Sequence, residues 1–362
     1  MPRSFLLLGL SCIVLAPLAC SKPSESTPAP ASSTFASAAS APAPAAARPS
    51  FDASMLAPFS ALPGAAAFDD KAALGRMLYF ETRLSKNHDH SCNSCHKLDA
   101  FGVDGMPTSE GHKNQHGTRN SPTVLNASLE FRQFWDGRAA DVEEQATGPI
   151  VNPVEMASDD KRVVETLSSL PEYVAAFKKA FPDPKAPITL KNVGVAIGAF
   201  ERGLLTPGRW DKLLGGEKTA LTPAELEGLV VFVQTGCPTC HAGPLVGGAM
   251  YQKAGLVKPW PNQKDQGRYE VTKQDADRMM FKVPSLRNVA KTAPYFHDGA
   301  TATLVEAVKM MARHQLGKEL ADEDAQRIVT FLEALTAPPS AERILPPLLP
   351  TSTAMTPKAD PS

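Results

Sequence analysis

Two pentapeptides constrain this chain more than anything else in it: Cys92-Asn93-Ser94-Cys95-His96 and Cys237-Pro238-Thr239-Cys240-His241. Each sets two thiols on either side of a two-residue spacer and follows the second at once with an imidazole. Thiols so spaced can each add to one vinyl group of a haem, and the adjoining histidine can turn under the iron as its proximal ligand. A zinc site would usually gather both pairs around one ion and leave the immediate histidines without a purpose. A thioredoxin-like pair needs no following histidine and sits among alternating strands and helices. The motifs therefore predict two covalently bound haem c groups, held through Cys92, Cys95 and His96 and through Cys237, Cys240 and His241.

The rest of the composition narrows the setting. The chain has six cysteines in 362 residues, too few for a disulfide-stapled scaffold. With 37 Lys+Arg against 38 Asp+Glu the formal charge is −1, which argues against a nucleic-acid partner. Residues 1–20 carry an early Arg3 and then an apolar run from Phe5 to Leu18, the pattern of an export signal. Cys20, between Ala19 and Ser21, reads as a lipoprotein processing site, so the expectation is a periplasmic protein held to the membrane only by a lipidated Cys20. Cys12 would leave with the leader, and no disulfide is expected. Residues 21–50 are Ala, Ser and Pro with almost no bulky side chains, the composition of a disordered tether. The Pro-rich residues 338–362 read as a tail, loose or laid along the surface, so the folded body is expected over about 51–337.

Within that body helix signals recur and strand signals are scarce. Asp69 can cap a helix through Tyr79, with Leu74, Met77 and Leu78 at helical spacing. Thr222-Pro223-Ala224-Glu225 combines an N-cap, a first-turn proline and a capping-box glutamate, and the helix it opens runs toward Cys237. Thr303-Leu304-Val305-Glu306 predicts another, through about Arg313. Asp322 is expected to cap a last helix with Ile328, Val329, Leu332 and Leu335 inward. A mainly α protein follows, with two cytochrome c-like haem domains in tandem, 51–213 and 214–337, and a small β piece near Tyr269–Val271.

The sixth iron positions decide between carrier and catalyst, and spacing alone leaves them open. His88, His90, His112, His116, His297 and His314 remain, as do Met250, Met279, Met280, Met310 and Met311 after the second motif. The run SCNSCH…GVDGMPTSEGHKNQHGTRNSPTVLNAS…QFWDGRAADVEEQATGPIVNPVEM resembles the first haem domain of bacterial di-haem cytochrome c peroxidases. CPTCH, FKVPSLRNVAKTAPYFHDGA and EAVKMMARHQLGKEL resemble their second.

The resemblance implies a peroxidatic first haem and an electron-storing second one. His112 then matches the histidine that caps the first haem in the oxidised resting state and lets go when the second is reduced. Glu155 matches the catalytic acid–base, Gln145 a glutamine lining the same pocket, and Trp135 the tryptophan between the haems. Met311 matches the axial methionine of the second haem, since the family spacing AVxxM picks it over Met310. Asn120, Thr292 and Pro294 match a calcium site, the latter two through carbonyl oxygens. The implied activity is reduction of hydrogen peroxide to water, with electrons from a small c-type cytochrome or cupredoxin, in a homodimer. The alternatives are a plain di-haem carrier, or a related maturation enzyme that oxidises partner side chains. The latter carry a tyrosine where this chain offers Met311.

Overall fold

The computed structural model describes residues 50–182 and 187–362, and the leader, with Cys12 and Cys20, and the tether up to residue 49 lie outside them. Asp69 opens α1 (Asp70–Tyr79), its carboxylate accepting from the Ala72 N–H at 2.9 Å. A single turn, α2 (Cys92–Cys95), then carries the first thiol pair. Four longer helices complete the first half: α3 (Val142–Val151), α4 (Asp160–Ser168), α5 (Pro171–Ala180) and α6 (Leu190–Glu201). After α7 (Arg209–Leu214) the second half begins with α8 (Pro223–Thr235), which has the expected capping box between Thr222 and Glu225 and leads into Cys237. It continues through α9 (Tyr269–Thr272), α10 (Leu304–Leu316) and α11 (Asp322–Ala334), and α12 (Ala341–Ile344) follows. The strands β1 (Tyr251–Lys253) and β2 (Met280–Lys282) pair antiparallel, with Gln252 opposite Phe281.

Two hydrophobic cores lie inside what is, by contact, one compact unit from Arg48 onward. The first is built by α1, α3, α4, α5 and α6, and Cys92 packs against it. The second is built by α7, α8 and α11 around Trp210, Phe232 and Phe331, and Cys237 packs against it. Each core contains a tight helix crossing at a glycine. A β-carbon on Gly75 of α1 would run into the Ala196 carbonyl oxygen of α6, and one on Gly228 of α8 would run into the Arg327 carbonyl oxygen of α11.

The loops repeat as well. Asn126 and Asn288 are both left-handed, at φ 64° and 62°, and both are fully buried. Phe134 and Phe296 are left-handed at φ 66° and 70°, each inside a small antiparallel bridge, Gln133 with Ala139 and Tyr295 with Thr301. Trp135 and His297 therefore hold equivalent posts in the two halves.

Several expectations need correction. Asp322 does not cap α11: Ala321 is the N-cap, and Asp322 sits in the first turn, ion-paired to Lys309 of α10. Tyr269–Thr272 is a helical turn rather than a β piece, because Gly267 and Lys273, both left-handed, bound it, and the strand pairing falls instead at β1 and β2. Helix α10 runs past Arg313 to Leu316, where left-handed Gly317 at φ 70° ends it. Residues 51–59, read with the first domain, pack on the second core, Phe59 meeting Trp210 edge-on at 5.3 Å. Residues 338–362, read outside the folded body, form an arm on the first half, where Ile344 and Leu349 join its core and Arg83 donates to the Pro350 carbonyl at 2.8 Å.

Candidate functional site

The two cysteine motifs stay apart, each under its own core, and no cluster of three or more His, Cys, Asp or Glu side chains fit to hold a metal occurs among the described residues. The four thiols are free, and burial pushes Cys92, Cys95 and Cys237 up, Cys95 to about 11 and Cys237 to about 12. Such thiols stay protonated near neutral pH, unlike the depressed thiols of a redox pair. The imidazoles that follow are held neutral by burial, His241 down to about 4, as iron ligation requires. His241 Nδ1 lies 3.3 Å from the Val246 carbonyl; a carbonyl only accepts, so Nδ1 carries the proton and Nε2 keeps its lone pair. Tyr79 donates to the His96 carbonyl at 2.6 Å, which ties α1 to the end of the first motif.

A cavity opens beside the second motif. Cys237, Cys240, His241 and Met311 line it, with apolar walls from Phe281, Val308 and Leu332. This donor set, two thiols, an imidazole and a thioether around an apolar slot, suits haem c. Met310 lies on the same helix, but its sulfur accepts from the Thr301 hydroxyl at 3.3 Å.

Near the first motif the structure brings the His112 and Glu155 segments together. Helix α3, which carries half-buried Gln145, ends in a turn that presents Glu155. The His112 N–H donates to the Glu155 carbonyl oxygen at 2.8 Å, and a β-carbon on Gly111 would strike the Val154 carbonyl, so only glycine lets the two segments lie this close. Glu155 is also within electrostatic reach of Cys95. Burial raises the Glu155 carboxyl, opposed by the Arg138 charge and by a hydrogen bond from Asn152 Nδ2 to Oε1 at 2.8 Å. The His112 ring is buried, and its Nε2 points to the Ser362 main-chain oxygen at 3.2 Å.

Between the halves, Trp135 donates from Nε1 to the Asn120 carbonyl at 2.9 Å, and its own carbonyl accepts from the Lys282 N–H at 2.8 Å. Asn120, buried, donates its N–H to the His297 carbonyl at 2.8 Å and its Nδ2 to the Met106 carbonyl at 2.9 Å, and it lines the same cavity as Thr292 and Pro294. Arg119 bonds Asp136 of the first half and Asp265 of the second, at 2.5 and 2.6 Å.

Sequence reasoning passed over His297 as an ordinary packing histidine. Its ring stacks on Phe281 at 4.2 Å and meets Trp135 edge-on at 6.4 Å, and its buried Nε2 has no partner. The signal that finds it is the echo of Trp135-Asp136-Gly137 in His297-Asp298-Gly299. Lys86, whose amine reaches Ser362, carried no motif at all.

A family model described as di-haem cytochrome c peroxidase matches residues 69–219. Cytochrome c551 peroxidase of Nitrosomonas europaea is 48% identical over 294 residues, covering 81% of this chain and 87% of that protein. Cytochrome c551 peroxidase of Pseudomonas aeruginosa is 46% identical over 303 residues, covering 82% and 87%. Among solved structures, a MauG-like protein associated with microbial copper homeostasis aligns with a TM-score of 0.68 at 27% identity, over 79% of this chain and 97% of that one.

Proposed function

The chain belongs to the bacterial di-haem cytochrome c peroxidases, and from that premise we propose that it reduces one hydrogen peroxide to two waters with two electrons and two protons, the electrons coming singly from a small c-type cytochrome or cupredoxin. Haem c bound at the two motifs supplies the peroxide-binding iron and the electron relay. Cys92, Cys95 and His96 hold the first, with His112 as its removable cap. Cys237, Cys240, His241 and Met311 hold the second.

Glu155 does the proton work. As a carboxylate it takes the proton from the inner peroxide oxygen and returns it to the outer one, so that water leaves rather than hydroxide. Asn152 fixes one of its oxygens, which leaves Oε2 for peroxide. Burial against the pull of Arg138 sets a carboxyl raised from its ordinary value, the direction a proton shuttle needs. Gln145 lines that pocket, and Trp135, anchored to Asn120 and Lys282, stands between the two haems. Asn120 with the carbonyls of Thr292 and Pro294 offers neutral oxygen ligands to calcium. The protein works in the periplasm as a homodimer, tethered through Cys20.

The observation that supports the reading is the 2.8 Å hydrogen bond between the His112 N–H and the Glu155 carbonyl, which joins the segments that carry the two residues, with Glu155 within electrostatic reach of Cys95. The variant Glu155→Gln tests it. It should lose roughly 10²- to 10⁴-fold in peroxide turnover with both haem spectra intact. Unchanged turnover in that variant would mean that Glu155 moves no proton in the reaction.

A further inference from the structure

Four separate segments are laced side by side at the first site. The His112 N–H donates to the Glu155 carbonyl at 2.8 Å, and the Lys86 N–H donates to the next carbonyl, Met156, also at 2.8 Å. The Lys86 carbonyl in turn accepts from the Asp360 N–H at 3.0 Å. The ring then closes on itself. Ser362 N–H bonds Asp360 Oδ1 at 2.9 Å, and the Ser362 main-chain oxygen meets His112 Nε2 at 3.2 Å. Lys86 braces this last contact: its amine donates to the Ser362 main-chain oxygen at 2.8 Å and to the Ser362 hydroxyl at 3.2 Å, and pairs with Asp360 at 3.4 Å.

The arm that delivers Ser362 is fastened along its whole course. It leaves the second half at Ala337, whose N–H bonds Asn288 Oδ1 at 2.9 Å. Arg83, itself paired with buried Glu81, then holds the Pro350 carbonyl and the Ser352 hydroxyl, and Ser169 holds Thr353 and Thr356. Arg162 bonds the Lys358 carbonyl.

The main-chain oxygen of Ser362 acts only as an acceptor, so in this contact His112 Nε2 is the donor and carries the hydrogen. A nitrogen so protonated and so engaged has no lone pair left for iron. We infer that Lys86 and the arm residues 360–362 form a docking site for His112 in its released position, and so act as positioning residues that hold the cap off the first haem. This rests on the reading of His112 as that cap. It gives the released histidine a defined place instead of a free loop, and makes the second half's own chain part of the latch.

One hydrogen bond of this kind shifts a two-state equilibrium by roughly 2- to 12-fold. The test uses the full holoprotein with its second haem reduced, the fraction of five-coordinate first haem being read from its high-spin absorption and electron paramagnetic resonance signals. Lys86→Met, and separately a chain shortened by residues 360–362, should lower the open-to-capped ratio by about that factor. The same shortening in a His112→Gly background should leave the spectrum unchanged. Wild-type ratios in both variants would overturn the docking site. So would an effect that persists without His112, because the arm would then act by another route. A wild-type protein whose first haem never opens would instead strike the reading of His112 itself, and shows before any variant is made.

Discussion

Glu201 closes α6 within electrostatic reach of Cys92, buried and raised to about 8, chiefly by desolvation and further by the Glu143 charge, with Arg202 opposing. The native state therefore keeps this proton over a range where the unfolded chain has lost it. Stability from this group is full below the ordinary carboxyl value near 4.5 and is lost as pH rises toward 8. Glu201→Gln should accordingly gain on the wild type as pH goes from 5 to 8, seen as a flatter dependence of Tm on pH. Parallel Tm curves would show that Glu201 is not buried as a neutral acid. Residues of this kind are not legible in sequence, since a glutamate gives no local sign of the helix that will cover it. The cysteines and histidines of the two pentapeptides are legible, because the proposed haem attachment needs them spaced within five residues. Glu155 and His112 stand between these cases. A long ordered match names them, but only the backbone bond between two segments some forty residues apart brings them together.

Among the helices, what holds each core is a pair crossing at a glycine, α1 with α6 and α8 with α11. The partner at Gly228 is a backbone carbonyl, which cannot swing aside as a side chain could. Gly228→Ala should therefore cost on the order of 1–3 kcal/mol in urea unfolding, although alanine is the better helix former. A stabilised variant would mean that the helices can part without loss. Helix starts were readable wherever the cap is local: Asp69 and Thr222 accept from N–H groups three residues on, as their sequences predict. Asp322 misled because its carboxylate prefers Lys309, thirteen residues away, to the backbone beside it. The three-residue strands β1 and β2 are too short to alternate, and their pairing joins segments about thirty residues apart. The seat of the arm, though not the arm itself, was illegible for the same reason. A proline-rich run buries little by itself, and its partners Arg83, Ser169 and Arg162 lie more than 180 residues earlier.

Across the whole molecule the two halves meet at a buried polar node. Asn126 and Asn288, equivalent positions of the repeat, each donate from Nδ2 to the one hydroxyl of Thr206 at 2.9 Å. The Thr206 N–H returns a bond to Asn126 Oδ1 at 2.9 Å, and all three side chains are essentially inaccessible to water. Replacing the hydroxyl by a methyl would orphan two buried donors, so Thr206→Val should lose about 2–5 kcal/mol in denaturant unfolding. A loss within a few tenths of a kcal/mol would mean that the asparagines find other partners. The pairs from Arg119 to Asp136 and Asp265 and from Lys282 to Glu130 span the same junction, around Trp135 and His297. Such a junction keeps two haem sites at a fixed spacing, as relayed single-electron transfer to peroxide demands. This architecture serves a two-electron reduction, which a steady-state assay of the holoprotein with a reduced small c-type cytochrome and hydrogen peroxide tests most directly. Two molecules of cytochrome should be oxidised for each peroxide consumed; peroxide left untouched while both haems exchange electrons with the cytochrome would make the protein a carrier and contradict the account.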